Sequence, residues 1–374
     1  MNPGKLEYII RSLIEKDGPI TFEKFMALVL YYPGLGYYMT DDIRIGPDGD
    51  YYTSSHLHPI FGWMIAIQLD EMKRILEGTG KFTILELGAG RGFFAENIID
   101  YLEHKLKWSG NWEYVIVEKN PSAIQHQSKL LNRYRGRVSW KTSIDEVDRF
   151  CGCVIANELI DAFPVHRITT TDRYREIYVD MSANGLVDMP GDFSDPALSD
   201  YLVQYKIPEI RGYCSEVNLR IWDHLQSLDN ILSEGFELTI DYGYPAWEYY
   251  SAQRNKGTLL CYYRHTRNTN PYLHLGDQDI TAHVNFTALK DWGEATGLQT
   301  IGYCPQGTFL ASLGIDKVIA GELESNPSFQ TELQKIKGLL FDVGQTHQVM
   351  IQYKGNKDIK SLKGFELRNR KNKL

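Results

Sequence analysis

The segment Ile84-Leu85-Glu86-Leu87-Gly88-Ala89-Gly90-Arg91-Gly92-Phe93-Phe94 constrains this chain more than any other. An apolar strand ends in an acid, a turn with glycines at alternate positions follows, and an apolar helix begins. Glycines are needed where the backbone takes dihedrals closed to side chains, or comes within van der Waals reach of a ligand. Further apolar runs at 114–118, 153–156 and 236–241 read as strands. Helical stretches at 93–106 and 121–134 follow the first two strands, the latter opened by Asn120-Pro121 as N-cap and first-turn proline. Strands this apolar, separated by helices, predict an α/β fold with a mostly parallel sheet covered on both faces.

The first eighty residues have a different pattern. Leu6, Ile9, Ile10, Leu13 and Ile14 fall at helical spacing, and Gly18-Pro19 ends that helix. A second helix over 22–31, a loop over 37–58 and a helix over 59–76 complete an expected N-terminal helical cap, residues 1–80. The main domain then runs from 81 to 353. Residues 165–232 are too long for one crossover and read as an insertion, with a hairpin (166–168 with 176–180), a loop at 188–196 and a helix at 218–232. Later elements are strands at 258–263, 299–303 and 348–353 and a helix at 285–296.

Net charge is −8, unevenly spread. From Lys354 onward eight Lys/Arg stand against two acids, leaving 32 basic against 46 acidic residues before it. So acidic a body is a poor nucleic-acid binder, and residues 354–374 read as a basic, flexible tail. Five cysteines give no disulfide framework and suit a reducing compartment. No apolar run approaches the roughly 18 residues of a membrane span, and the opening residues are neither Arg-rich nor acid-poor. The expectation is an unexported, cytoplasmic protein without membrane insertion, a homodimer being left open.

Three nucleotide readings of the glycine turn compete. A phosphate-binding P-loop fails, because Gly78-Thr79-Gly80-Lys81 has the wrong spacing and precedes the strand. A dinucleotide fingerprint fails at its third glycine, where Phe93 stands. Acid-x-G-x-G-x-G is the pattern of S-adenosylmethionine (SAM) methyltransferases, in which methionine and ribose lie on bare backbone and the acid receives the amino group directly or through water. Glu118, 26 residues beyond Gly92, is placed to accept from both ribose hydroxyls. Asn157 and Glu158 end the next strand, beside the expected topological switch point. A carboxylate there can hold a guanidinium by paired hydrogen bonds, although Glu158 also suits a helix start.

Other features carry less. Cys151-Gly152-Cys153 reads as a small-residue strand entry, so no metal is expected. His56-Leu57-His58 reads as surface loop. Residues 279–286 suit either capping or substrate lining, and Tyr242, Tyr244 and Trp247 either packing or an aromatic wall.

Together, residues 20–38, Tyr51-Tyr52-Thr53-Ser54-Ser55, Phe61-Gly62, the glycine segment, residues 157–165 (Asn-Glu-Leu-x-Asp), Ile240-Asp241-Tyr242-Gly243-Tyr244, residues 276–287 (with Asp-Ile-Thr-Ala-His) and residues 306–315 resemble the MidA family of class I SAM-dependent methyltransferases. That resemblance implies a seven-stranded methyltransferase sheet with an N-terminal cap and an inserted substrate region. It implies SAM binding by Glu86, Gly88, Gly90, Gly92 and Glu118, with Asn157 at the methyl-transfer end and Ser143 and Ile144 bordering adenine. Thr53 enters from a cap turn that has Ser54-Ser55 where the family has Ala-Pro. Mitochondrial members of the family assist respiratory complex I assembly and are held to methylate an arginine. The function expected is therefore methyl transfer to an arginine of a protein substrate, with Glu158 positioning the acceptor, Asn157 beside it at the methyl-transfer end, and Asp161 or Glu216 helping. A small-molecule methyltransferase and a non-catalytic SAM-binding assembly factor are the alternatives.

Overall fold

In the computed structural model, which describes residues 4–41 and 57–374, the chain forms two units. One gathers Met1–Tyr51, Ile160–Asp223 and Tyr244–Ala288, the other Tyr52–Leu159, His224–Gly243 and Leu289–Leu374.

The second unit holds the glycine segment. Its strands are β1 (Phe82–Leu87), β2 (Trp112–Val117), β3 (Val138–Lys141), β4 (Phe150–Asn157), β5 (Leu232–Tyr244), β6 (Gln299–Pro305) and β7 (His347–Lys354). They lie side by side as β3-β2-β1-β4-β5-β7-β6. Neighbours from β3 to β5 are parallel, and β7 runs antiparallel to β5 and β6. Every residue of β1 is buried, as a central parallel strand flanked by helices requires. Gly152 sits in β4, where a Cβ would lie 1.9 Å from the Thr83 carbonyl oxygen. Strand packing thus accounts for Cys151-Gly152-Cys153, and no metal-binding cluster occurs among the described residues.

Helices of this unit include α1 (Ile60–Ile75), α2 (Phe93–His104) and α3 (Pro121–Leu130). A Cβ on Gly62 would come within 2.7 Å of Asn97 Cβ, and Phe61 stacks on Phe94 at 5.2 Å. The helix expected in the N-terminal cap is therefore a layer of the sheet's own unit. Its amphipathic spacing announced a buried face without announcing the partner.

The tail also differs from expectation. Leu362 and Phe365 are 1% and 2% exposed and belong to the same core. Gly364 N–H donates to Gln68 Oε1, Lys363 N–H donates to Glu71, and Asn369 Nδ2 donates to the Ile301 carbonyl. The lysines and arginines of this stretch alternate with apolar anchors. Long cationic side chains can reach water while their neighbours dock, so net charge was a poor guide to order.

In the first unit, Thr21 caps the helix Phe22–Tyr31 by accepting from Lys24 N–H at 3.1 Å. That helix and Gly4–Asp17 supply Leu6, Ile10, Phe25 and Val29 to a core with Val165, Val179 and Ile280. An antiparallel sheet orders Ile20–Thr21, Tyr174–Ser182, His166–Thr170 and Cys214–Val217, with Gly185–Gly191 also paired to Tyr174–Ser182. The expected hairpin forms, with Ile168 opposite Glu176. The expected loop at 188–196 is strand as far as Gly191. The N-terminal helices and the inserted region therefore share one core, a grouping that linear boundaries at 80, 165 and 232 do not capture. No described helix is long and apolar enough to cross a membrane.

Candidate active site

Strand order reverses between β1 and β4, and in open α/β sheets ligands bind outside the C-terminal strand ends at such a point. The glycine turn leaves β1 there. Gly88, Gly90 and Gly92 all have left-handed φ, 71°, 53° and 84°. Gly88 N–H donates to the Val117 carbonyl at 2.9 Å, and a Cβ at Gly88 would meet Leu159 Cδ1 at 3.2 Å.

Glu86, on β1 opposite Ile116 and Ile155, is 2% exposed. Its Oε2 accepts from Tyr114 O–H at 2.7 Å. Burial pushes its pKa up from 4.5 to about 7, opposed by the Tyr114 hydrogen bond and reinforced by the Glu118 charge. Glu118 follows β2, and burial raises its pKa too, against hydrogen bonds from Asn120 N–H and Gln127. Gln127 on α3 is fully buried. Its Nε2 donates to the Gly90 carbonyl at 2.8 Å and to Glu118 Oε2 at 3.3 Å, and its Oε1 accepts from Trp140 Nε1–H at 2.9 Å. One amide thus ties the glycine turn, the second acid and β3 together.

Asn157 ends β4 opposite Ile240, and its Oδ1 is buried with no hydrogen-bond partner among the described residues. Glu158 takes a left-handed φ of 47°, which costs a non-glycine residue about 1–2 kcal/mol. Its N–H donates to the Ile240 carbonyl at 2.8 Å, so the β4–β5 ladder extends one residue before the chain leaves the sheet. A three-residue 3-10 turn, Ile160–Ala162, comes next, too short to give Glu158 the helix-start role. The Glu158 side chain is 6% exposed, with Oε1 3.6 Å from His347 Nε2.

The remaining expected residues belong to several different elements. Thr53 and His56 lie outside the described residues. Ser143 caps the turn Ile144–Glu146 after β3, accepting from Asp145 N–H at 3.2 Å. Asp161 belongs to the first unit, 5% exposed, with its carbonyl accepting from Ala282 N–H at 2.9 Å. Glu216, also in the first unit, accepts from Thr258 N–H at 2.8 Å and Oγ1–H at 3.0 Å. That clamp fixes the Glu216 carboxylate against Thr258. His58 is buried, not surface: Nδ1 accepts from Ile60 N–H at 3.0 Å, and burial lowers its pKa. Asn285 Oδ1 accepts from Thr287 and Ala288 N–H, which favours capping for that block. Tyr244 carries the Arg254 guanidinium at 3.8 Å, and Trp247 is 64% exposed. Gln127, Tyr114 and His347 were not anticipated. The only sequence signal for each is a polar group inside or abutting an apolar run.

Residues 64–304 match the family described as putative S-adenosyl-L-methionine-dependent methyltransferases. The chain belongs to that family: it is a class I methyltransferase whose cofactor is SAM. The MidA resemblance stands with it. Among relatives, the Drosophila melanogaster protein named protein arginine methyltransferase NDUFAF7 homolog, mitochondrial, is 25% identical over 357 residues, 86% of this chain and 79% of that one. The Danio rerio protein arginine methyltransferase NDUFAF7, mitochondrial, is 27% identical over 367 residues, 89% and 82%. A likely methyl transferase from Burkholderia thailandensis, solved bound to S-adenosyl-homocysteine, superposes with a TM-score of 0.91 at 29% identity, covering 100% of this chain and 97% of that one.

Proposed function

We propose that this methyltransferase acts on an arginine side chain of a protein, with Glu158 receiving the guanidinium. The observation that carries this is the Glu158 carboxylate, 6% exposed and held by a left-handed backbone at the β4 end. The residues present fit the cofactor. Glu86 is a buried carboxyl whose raised pKa a cationic amino group would relieve. Glu118 offers acceptors for a diol, Asn157 Oδ1 is a buried acceptor without a partner among the described residues, and Gly88, Gly90 and Gly92 present backbone alone. Ser143 and Ile144 would border adenine, and Thr53 would join the cofactor residues. When bound, SAM supplies an electrophilic methyl group on a cationic sulfur.

Glu158 has three tasks in this reading. Its two oxygens accept paired hydrogen bonds from the guanidinium. They orient one nitrogen for in-line attack, and burial keeps competing water out. Its negative charge also favours loss of the nitrogen's proton. Support for the acceptor comes from the relatives named arginine methyltransferases and from an acidic body suited to a cationic peptide. A reducing, cytoplasmic setting belongs to the same proposal, supported by five unpaired cysteine thiols.

The test uses tritiated SAM with extract from cells lacking the gene, followed by amino-acid analysis of the labelled protein. Label is expected in methylarginine, and Glu158→Gln is expected to lower transfer about 100-fold or more while S-adenosyl-homocysteine still binds in calorimetry. Label confined to small molecules, or no transfer by a protein that binds the cofactor, refutes the arginine reading. Unchanged turnover in Glu158→Gln removes Glu158 from the reaction.

A further inference from the structure

We propose that His347 is the positioning residue for Glu158, and that the pair holds the proton given up by the acceptor nitrogen. This rests on the role proposed above for Glu158. His347 opens β7 opposite Tyr242 on β5, and its side chain is 2% exposed. The ring is fixed on several sides. Nδ1 lies 3.1 Å from the Val343 carbonyl oxygen and 3.2 Å from Thr346 Oγ1. The Tyr242 ring packs on it with centroids 4.0 Å apart. Val343 follows directly on a single π-helical turn, Gly338–Asp342, a distortion that recurs at functional sites.

A carbonyl oxygen only accepts, so the Val343 contact places the ring proton on Nδ1. In the neutral ring the lone pair then lies at Nε2. Nε2 is buried and has no hydrogen-bond partner among the described residues, yet it faces Glu158 Oε1 at 3.6 Å. Two acceptors set against each other in a dry place repel until a proton arrives between them, and then attract. The separation exceeds a hydrogen bond, so the pair engages when the carboxylate turns toward the ring. The proton accounting is complete within the chain. The acceptor N–H bond breaks and its electron pair stays on the nitrogen that gains the methyl group. The proton passes to Glu158 Oε1 and on to Nε2, leaving a carboxylate beside an imidazolium.

Nitrogen-15 NMR of histidine-labelled, unliganded protein tests the geometry without turnover. The His347 signals, assigned by their loss in His347→Asn, are expected to show a protonated Nδ1 and a bare Nε2, with Nε2 moving in Glu158→Gln. Kinetics then test the role. His347→Asn keeps a donor near Val343 and lacks an atom at Nε2. It is expected to bind S-adenosyl-homocysteine and acceptor peptide within about twofold of wild type. Its kcat is expected to fall about tenfold to a hundredfold, the scale of an orienting outer partner. Glu158→Gln/His347→Asn is expected to be no slower than Glu158→Gln alone. A proton found on Nε2, an unmoved Nε2 signal, or losses that multiply in the double variant overturn the proposal. A wild type that methylates no arginine yet shows the expected tautomer and shift refutes the acceptor assignment and supports the pairing.

Discussion

Glu86→Gln isolates the electrostatic cost built into the first strand of the sheet. In the folded chain burial holds this carboxyl at about 7, against an ordinary 4.5. A gap of that size corresponds to roughly 3 kcal/mol. Because the folded pKa is raised, the residue's contribution to folding is intact below pH 4.5 and is lost as pH rises through about 7. Glutamine cannot ionise, and its carbonyl can still accept from Tyr114, so the variant escapes the penalty. Urea titrations of the unliganded protein are expected to agree within about 1 kcal/mol at pH 5 and to favour Glu86→Gln by about 3 kcal/mol at pH 8.5. Cofactor binding is expected to move the other way, since a cationic amino group needs the charge. S-adenosyl-homocysteine affinity should fall at least about tenfold in the variant, and in wild type should weaken as pH drops below 7. Stability curves that track each other from pH 5 to 9 would refute the argument, because burial would then impose no ionisation cost.

Three other substitutions probe separate links. Gln127→Ala breaks the tie between Gly90 and Glu118, and calorimetry is expected to show roughly tenfold weaker S-adenosyl-homocysteine binding, the loss of about one buried hydrogen bond's worth of order. Gly88→Ala adds strain of about 1–2 kcal/mol at a left-handed position. It also brings a methyl to 3.2 Å from Leu159 Cδ1, and with the turn in its proposed SAM-binding role affinity is expected to drop more than stability does. Phe365→Ala is expected to destabilise the second unit by about 3–5 kcal/mol in urea titration, whereas a solvated tail would show no change.

The glycine turn, both acids and β1 were legible because each is fixed locally: an apolar strand, a turn needing positive φ, a polar residue at a strand end. β3 was not legible. Its residues Val138, Ser139, Trp140 and Lys141 have mixed burial and carry too short a pattern, and only pairing with β2 makes them a strand. His58 looked like loop because its partners, Trp63 and Phe329, lie in elements whose packing local pattern does not encode. Glu216 looked available because its clamp, Thr258, lies far along the chain. His347 shows the limit most clearly. Its position before an apolar run suggests a strand entry, and its approach to Glu158 exists only once β7 has inserted between β5 and β6.

That insertion orders events during synthesis. Because β7 fills a gap between two strands made earlier, and Leu362 and Phe365 then seal the core, a ribosome-bound chain holds its sheet split until residues 347–365 have emerged. Domains otherwise tend to fold as they appear. Here the glycine turn can form early while Glu158 still lacks its histidine. A chain stopped short of β7 would carry the glycine turn without the His347–Glu158 approach, so the strand that closes the sheet also completes the proposed pair.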